Sequence, residues 1–115
     1  MGGRDENAST ALAQLSGIDV VIAGHTHLVF PTPQHRDLAG KPAVMPGFFG
    51  SHLGVIDLAL QKSPQGWQVV RHHAETRPIS RRDPATGQAQ PLVADDSAIA
   101  ALAAPAHSAL LGRAD

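Results

Sequence analysis

The strongest indication of the fold is the sequence of residues 18–27, Ile18-Asp19-Val20-Val21-Ile22-Ala23-Gly24-His25-Thr26-His27. Its first six residues are a nearly unbroken run of apolar, mostly β-branched side chains, which is typical of a strand covered on both faces in an α/β protein. Gly24 then lets the chain turn sharply. Because ligand sites in open α/β sheets lie at the carboxyl ends of strands, His25 and His27 are the leading candidates for a functional site.

The segment before this run predicts a short helix over residues 5–16. Acidic residues occupy its first turn, where they suit the helix dipole, and Gly17 is the expected stop. Four apolar side chains of this helix form one stripe, at Ala8, Ala11, Leu12 and Leu15. Helix, glycine and buried strand together predict a mixed α/β fold.

A β-hairpin is predicted further along the chain. Residues 52–60 and 67–75 are rich in strand-forming side chains, and residues 63–66 carry the turn chemistry that joins them. Asp57 interrupts the first of these strands. The hypothesis for this residue is a structural ion pair across the hairpin, with Arg71 or Arg77.

Beyond the hairpin the composition changes. Residues 81–94 are polar and contain prolines and a glycine, so they predict a linker or an exposed loop. Asp95-Asp96-Ser97 then provides capping residues for an alanine-rich helix that reaches about residue 111. Pro105 should kink or break this helix, because proline lacks a backbone N–H and clashes with the preceding turn.

Composition excludes several classes of function. The 115 residues fit one small domain, and the formal net charge of -1 offers no electrostatic case for a nucleic acid polymer or an anionic membrane as partner. The chain has no cysteine, which excludes disulfide frameworks, thiolate zinc sites and cysteine nucleophiles. We expect neither a membrane span nor a signal peptide within this chain, since it contains no apolar run near the about 20 residues that cross a bilayer.

Histidine is unusually frequent for a residue that can bind metal ions, with 7 in the chain. Two imidazoles that lie two residues apart, as in His25 and His27, can be presented to neighbouring metal ions, or to one metal ion and a phosphate. Neutral imidazole suits zinc, manganese, iron or nickel, and the sequence does not choose among them. The alternative is a pair of loop histidines that only form hydrogen bonds.

Residues 18–27 resemble the last signature of the calcineurin-like metallophosphoesterases, a Gly-His-x-His motif that ends a core strand. Residues 40–58 narrow this resemblance to the 2',3'-cyclic-nucleotide 2'-phosphodiesterase/3'-nucleotidase branch of the 5'-nucleotidase family, and residues 6–8 and 75–79 fit the same branch. The resemblance implies a partial metallophosphoesterase β-sandwich followed by a C-terminal linker helix. It also implies that residues 1–80 are the C-terminal part of the metallophosphoesterase domain, and that residues 81–115 are a linker and helix leading toward a nucleotide-binding domain that is missing here.

The resemblance also implies a hydrolase with a two-metal centre that holds zinc, manganese or similar divalent ions. His25 and His27 would be metal ligands, and the ions would neutralise charge that develops during attack on phosphorus. Members of the family hydrolyse 2',3'-cyclic nucleotides to 3'-nucleotides and then to nucleosides. This activity belongs to nucleotide catabolism in the periplasm or at the cell surface, with a nucleotide as the small-molecule partner.

The sequence lacks several metal-binding motifs of the family pattern. The family places an Asp-x-His motif, a bridging aspartate, an Asn-His pair and a further histidine before Gly-His-x-His, and only six residues precede Asn7. We therefore expect the C-terminal part of a catalytic domain, with weak or partial metal binding and little or no activity by itself. The alternative is a non-catalytic α/β remnant or interaction module. The oligomeric state is left open.

The remaining histidines have weaker claims to function. His52 lies between two glycines and is a candidate for shaping the substrate pocket, with packing at the start of a strand as the alternative. His72 and His73 alternate faces of their predicted strand, so they should not bind one ion together. Surface positions are predicted for His35 and His107. No residue is assigned as a catalytic nucleophile or general base.

Overall fold

The computed structural model of the chain describes residues 8–112, which divide into two compact units between Ile79 and Ser80. The first unit contains α1 (Ser9–Ala13), β1 (Val21–Ile22), β2 (Val29–Phe30), β3 (Ala43–Pro46), β4 (His52–Ser63) and β5 (Gly66–Pro78). The second unit contains β6 (Ser80–Arg82), β7 (Ala89–Pro91) and α2 (Ser97–Leu111). The predicted mixed α/β class is confirmed.

The core of the first unit is built on β3, the central strand of a three-stranded sheet with the order β1-β3-β2. β1 runs parallel to β3 and β2 runs antiparallel to it. Within β3, Ala43, Val44 and Met45 are at most 4% exposed. Five buried side chains form the core cluster, namely Ala13, Val21, Phe30, Ala43 and Met45.

The strand predicted over residues 18–23 is shorter than expected and is covered on one face only. Only Val21–Ile22 forms a strand, although the Ala23 N–H continues the ladder by donating to the Val44 carbonyl at 2.9 Å. Val21 is 9% exposed and Ile22 is 78% exposed. Because successive side chains of a strand point to opposite faces, Val21 enters the core and Ile22 lies on the uncovered face.

The first helix is also shorter than predicted, and a different face of it is buried. The buried residues of α1 are Ser9 and Ala13, whereas Leu12 and Leu15 of the predicted stripe are 49% and 53% exposed. Residues four apart share one face of a helix, and in this short helix that face is selected by contact with the sheet. The predicted first turn, residues 5–7, lies outside the described residues. The predicted stop at Gly17 is wrong, because the helix ends at Ala13 with Gln14 as its C-cap; Gly17, with φ 84°, lies in the turn that follows.

The predicted hairpin is confirmed, and its strands extend beyond their predicted bounds. β4 and β5 pair antiparallel from His52 opposite Pro78 to Ser63 opposite Gly66. The register shifts between Ala59 and Leu60, which leaves Val70 as the extra residue of a β-bulge.

The predicted ion pair of Asp57 is wrong, because the register places other residues opposite it. Asp57 lies across from His73, whereas Arg71 lies across from Ala59. Arg77 instead pairs with Glu75 on its own strand, where the Arg77 Nε–H donates to Glu75 Oε1 at 2.6 Å. Residues two apart on a strand share a face, so this pairing needs no partner from β4.

Gly54 allows the hairpin to pack closely on the central strand. A Cβ atom built at this position would lie 3.0 Å from Val44 Cγ2 and 3.7 Å from Pro46 Cβ. Both of these contacts are with β3, so the side of β4 that carries Gly54 faces the core strand. The absent side chain thereby brings the start of β4 next to the end of β3.

The second unit corrects the loop predicted for residues 81–94. Ser80–Arg82 and Ala89–Pro91 pair as an antiparallel hairpin. Asp83 builds its turn, because Asp83 Oδ1 accepts the backbone N–H of Ala85 at 2.7 Å and that of Thr86 at 3.3 Å. An aspartate that accepts backbone hydrogen bonds two residues ahead is a known turn signal, and Asp83-Pro84 carries this signal in the sequence.

The last helix begins where the sequence predicts. Asp96 caps α2 by accepting the N–H groups of Ala98 at 2.9 Å and Ile99 at 3.0 Å. The helix continues through Pro105, so a break at this residue is wrong, whereas a kink stays a prediction. Alanine and leucine, which are among the strongest helix formers, surround the proline and favour continuation of the helix. Among the described residues, no helix is long and apolar enough to cross a membrane.

The close packing of Gly54 against Val44 leads to a prediction about stability. We expect Gly54→Val to destabilise the first unit by about 1–3 kcal/mol, because the added methyl groups overpack the contact with Val44. In a double-mutant cycle with Val44→Ala, the two effects should be non-additive by about 0.5 kcal/mol or more, measured by urea denaturation. Additive free energies of unfolding would contradict the contact.

The Glu75–Arg77 pair leads to a prediction about the pKa of the Glu75 carboxyl. The hydrogen bond from Arg77 lowers the pKa of the Glu75 carboxyl below its ordinary value, and the charge of Arg77 and nearby His73 act in the same direction. A carboxyl with a lowered pKa stabilises the folded state above its ordinary pKa and loses that contribution as pH falls through the folded-state value. In a ¹³C NMR titration, Arg77→Gln should raise the pKa of Glu75, whereas the control Arg71→Gln should leave it unchanged. Equal values in all three proteins would refute the pairing.

Candidate metal site at the end of the first strand

The Gly-His-Thr-His segment leaves the carboxyl end of β1 in an unusual backbone conformation. His25 has φ 74° and His27 has φ 60°, so both lie in the left-handed region that disfavours side chains. A non-glycine residue held there costs of order 1–3 kcal/mol, and such strain clusters at functional sites. Both candidate ligands are therefore held on strained backbone, a conformation that Ala39 and Phe49 also adopt.

Thr26 anchors the segment from its middle. Its hydroxyl donates to the sulfur of Met45 at 3.2 Å, and Met45 is 1% exposed in the core of the first unit. The backbone N–H of Thr26 donates to the Gly24 carbonyl at 3.0 Å and closes a tight turn. Because the central residue points towards the core, the two flanking imidazoles remain at the surface.

Both imidazoles are available to an external ligand. His25 and His27 are exposed, and within residues 8–112 neither side chain hydrogen-bonds to another protein group. Neutral imidazole nitrogen is a good donor to zinc and related divalent ions, so the donor chemistry of the pair fits a metal site. The described residues do not bring a third histidine, cysteine or carboxylate to them. Since zinc takes four ligands, this pair can form only part of a complete site.

An aromatic loop, defined as residues 47–51, lies beside the second histidine. Phe48 stacks on the imidazole of His27, with ring centroids 4.9 Å apart and an interplanar angle of 17°. Phe49 is 96% exposed and meets Phe48 at 5.0 Å and 59°. Sequence reasoning missed this neighbour. The available signal was a pair of aromatic residues between two glycines, in a chain that is only 3% aromatic.

His52 lies at the base of the aromatic loop. Its Nδ1 shares a hydrogen bond with the Ser51 hydroxyl at 2.9 Å. A Cβ atom at Gly47, which has φ 74°, would lie 2.6 Å from that hydroxyl oxygen and 3.4 Å from His52 Nδ1. His52 therefore packs under the loop and is half-buried there. A role for His52 in shaping a substrate pocket stays a prediction.

An open, mainly apolar cleft runs along β1 and α1 and ends at His25. Its lining residues are Ser9, Leu12, Val21, Ile22, Ala23, Gly24 and His25. The exposed side chain of Ile22 belongs to this cleft. The first imidazole of the motif thus lies at the rim of an apolar surface, whereas the second lies against the aromatic loop.

The other described histidines have separate partners. His72 Nε2 lies 3.2 Å from the Gly40 carbonyl oxygen, and His73 Nε2 lies 3.7 Å from Glu75 Oε2. His72 and His73 therefore interact with different groups. His35 and His107 are exposed. The structure brings none of these four to His25 and His27 in a group of three metal-binding side chains.

The sequence of this chain is similar to two bacterial enzymes of the same name. The chain is 38% identical over 114 residues to the 2',3'-cyclic-nucleotide 2'-phosphodiesterase/3'-nucleotidase of Salmonella typhimurium, an alignment that covers 90% of this chain and 17% of that protein. It is 45% identical over 84 residues to the protein of the same name from Yersinia enterocolitica, covering 64% of this chain and 13% of that protein. No family model matches the chain.

The fold comparison agrees with the sequence comparison. The crystal structure of the calcineurin-like phosphoesterase YfkN from Bacillus subtilis superposes with a TM-score of 0.75 at 29% identity, covering 94% of this chain and 33% of that chain. The chain thus spans a minor part of the length of each relative. Over the part that it spans, sequence and fold together show that this chain belongs to the calcineurin-like phosphoesterases, and its sequence is similar to proteins named 2',3'-cyclic-nucleotide 2'-phosphodiesterase/3'-nucleotidase.

Proposed function

We propose that this chain contributes His25 and His27 as metal ligands to a two-metal phosphohydrolase that acts on 2',3'-cyclic nucleotides and 3'-nucleotides. The observation that carries the proposal is the pair of exposed imidazoles on strained backbone at the carboxyl end of β1. Relatives named for this activity, at 38% and 45% identity, support the substrate class. Nucleotide catabolism in the periplasm or at the cell surface is part of the same proposal.

The residues of this chain would hold the imidazoles in place during the reaction. Divalent ions in such sites stabilise the charge that develops on the transferred phosphoryl group. Thr26 ties the motif to Met45, and the β1–β3 ladder fixes the point at which the motif leaves the sheet. The backbone at Gly24 borders open space, because a Cβ atom at this position would meet no atom of a residue beyond its chain neighbours within 4 Å.

The same geometry predicts that the chain is an incomplete catalyst by itself. Two imidazoles are too few for a zinc ion with four ligands, and the described residues supply no third metal-binding side chain to them. We infer that the other ligands come from other parts of the catalytic domain, since this chain spans only 17% of the Salmonella relative. Weak metal binding and little or no hydrolysis follow for the chain alone.

One observation favours a second candidate function, that of an interaction module. Ile22 is 78% exposed and Leu12 is 49% exposed, and both line the cleft beside β1. Exposed apolar surface of this kind marks protein contacts in many proteins. A non-catalytic module would keep this surface without any requirement for the two imidazoles, so metal binding separates the two candidates.

The first test is metal binding by the 115-residue chain. We expect Zn²⁺ or Mn²⁺ to bind weakly, and His25→Ala and His27→Ala each to lower the affinity about tenfold or more, because each removes a direct ligand. His73→Ala is the matched control and should bind like the wild type. Isothermal titration calorimetry measures these affinities. Unchanged affinity in both His25 and His27 variants would refute the assignment and favour the interaction module.

The second test restores the rest of the catalytic domain. In the Salmonella relative, the aligned segment is replaced by the corresponding segment of this chain, and hydrolysis of 2',3'-cyclic AMP is measured. We expect the chimaera to be active and His25→Ala to lower kcat about 10- to 100-fold or more, with His73→Ala as the control. A fully active His25→Ala chimaera would overturn the catalytic proposal. Metal-dependent turnover by the 115-residue chain alone, abolished by His25→Ala, would contradict its incompleteness.

A further inference from the structure

The geometry of the aromatic loop points to Phe48 as a positioning residue for His27. We propose that the stacked phenyl ring holds the His27 imidazole in the orientation in which it binds a divalent ion. The inference rests on the proposed function and deepens it, because it assigns a role to a side chain outside the Gly-His-x-His motif.

The stacking leaves the metal-binding atoms of the imidazole free. The two rings are nearly parallel, at 17°, with centroids 4.9 Å apart, so Phe48 covers one face of the imidazole. The lone pair that binds a metal ion lies in the plane of the imidazole ring. A neighbour stacked on the face can therefore restrict rotation of the ring without competing for the nitrogen atom.

No other group performs this task within the described residues. A metal-binding histidine is usually oriented by a hydrogen bond from its second ring nitrogen to a carboxylate, a carbonyl or water. Within residues 8–112, the His27 imidazole has no such protein partner, and its ring contact is with Phe48. Among the described residues, the stacked ring is thus the contact that can orient the His27 imidazole.

The backbone joins the two stacked residues through short connections. The Gly47 N–H donates to the Leu28 carbonyl at 3.1 Å, which links the residue before Phe48 to the residue after His27. The Phe48 carbonyl accepts the Ser51 N–H at 3.0 Å, and the Ser51 carbonyl accepts the Ile79 N–H at 3.0 Å. The aromatic loop is therefore tied on one side to the segment after the motif and on the other to the end of the hairpin.

Phe49 provides an internal control for this inference. It has the same side chain as Phe48 and the same loop, but it is 96% exposed and its ring contact is with Phe48, tilted at 59°. Removal of the Phe49 ring therefore leaves the stack on His27 in place. Any effect that depends only on the apolar character of the loop should appear equally at both positions.

The experiment follows the imidazole signals of the 115-residue chain by NMR during titration with Ni²⁺. This ion is paramagnetic, and it binds imidazole more tightly than Mn²⁺ does. The variants are Phe48→Leu and Phe48→Met, which remove the aromatic ring, Phe48→Tyr, which retains it, and Phe49→Leu as the matched control. The ring-current shift of the His27 protons reports stacking, and the Ni²⁺ concentration at half-broadening reports metal affinity.

We expect loss of the ring-current shift in Phe48→Leu and Phe48→Met, together with a half-broadening concentration that rises about two- to tenfold, the range that corresponds to a stacked aromatic pair. Phe48→Tyr and Phe49→Leu should behave like the wild type. If either non-aromatic variant loses the ring-current shift and still binds Ni²⁺ as tightly as the wild type, the inference is wrong. An equal loss in Phe49→Leu would also overturn it.

Failure of the proposed function gives a different result. The wild-type signals of His25 and His27 would then not respond to Ni²⁺, and the inference about Phe48 would fail with it.

Discussion

The pairing of β1 with β3 is the interaction on which the candidate site depends. The Val21 N–H donates to the Pro42 carbonyl at 3.0 Å, and the Ala23 N–H donates to the Val44 carbonyl at 2.9 Å. These two bonds place the carboxyl end of β1 beside a strand whose side chains are almost wholly buried. Because the motif begins at the next residue, Gly24, the position of both imidazoles follows from this short ladder.

The pairing at the other edge of β3 determines which segments lie beside the Gly-His-Thr-His motif. β2 pairs there, with Phe30 opposite Met45 and Val29 opposite Pro46. The chain that leaves the motif therefore returns along β3, and the chain that leaves β3 turns into the aromatic loop at the same end. The left-handed residues of the motif are held by this double attachment, since an unsupported loop would relax from such a conformation. Strain at the site is balanced by hydrogen bonds and burial in the core strand.

Sequence patterns within single helices, strands and turns predicted much of the fold. They failed where contacts with distant parts of the chain select the buried face or the strand register. The turn and the alternating strands of the hairpin lie close in sequence, so their pairing was predictable, and so was the cap at Asp96. The buried face of α1 was not, because a helix of five residues has no strong periodicity of its own and Ala13, rather than Leu12, contacts the sheet. The partner of Asp57 also depends on register, which side-chain identity alone does not specify.

The candidate ligands, their spacing and their place after an apolar strand could all be predicted from the sequence, because these follow from covalent order and strand chemistry. The sequence also carried the family resemblance, which identity to the curated relatives and the fold comparison confirmed. The tertiary structure decided that Ile22 lies on an open face, that Thr26 reaches Met45, and that Phe48 stacks on His27. Each of these three depends on which strands lie next to β1 and β3, and pairing between strands distant in sequence is set by the packing of the whole core rather than by any local pattern.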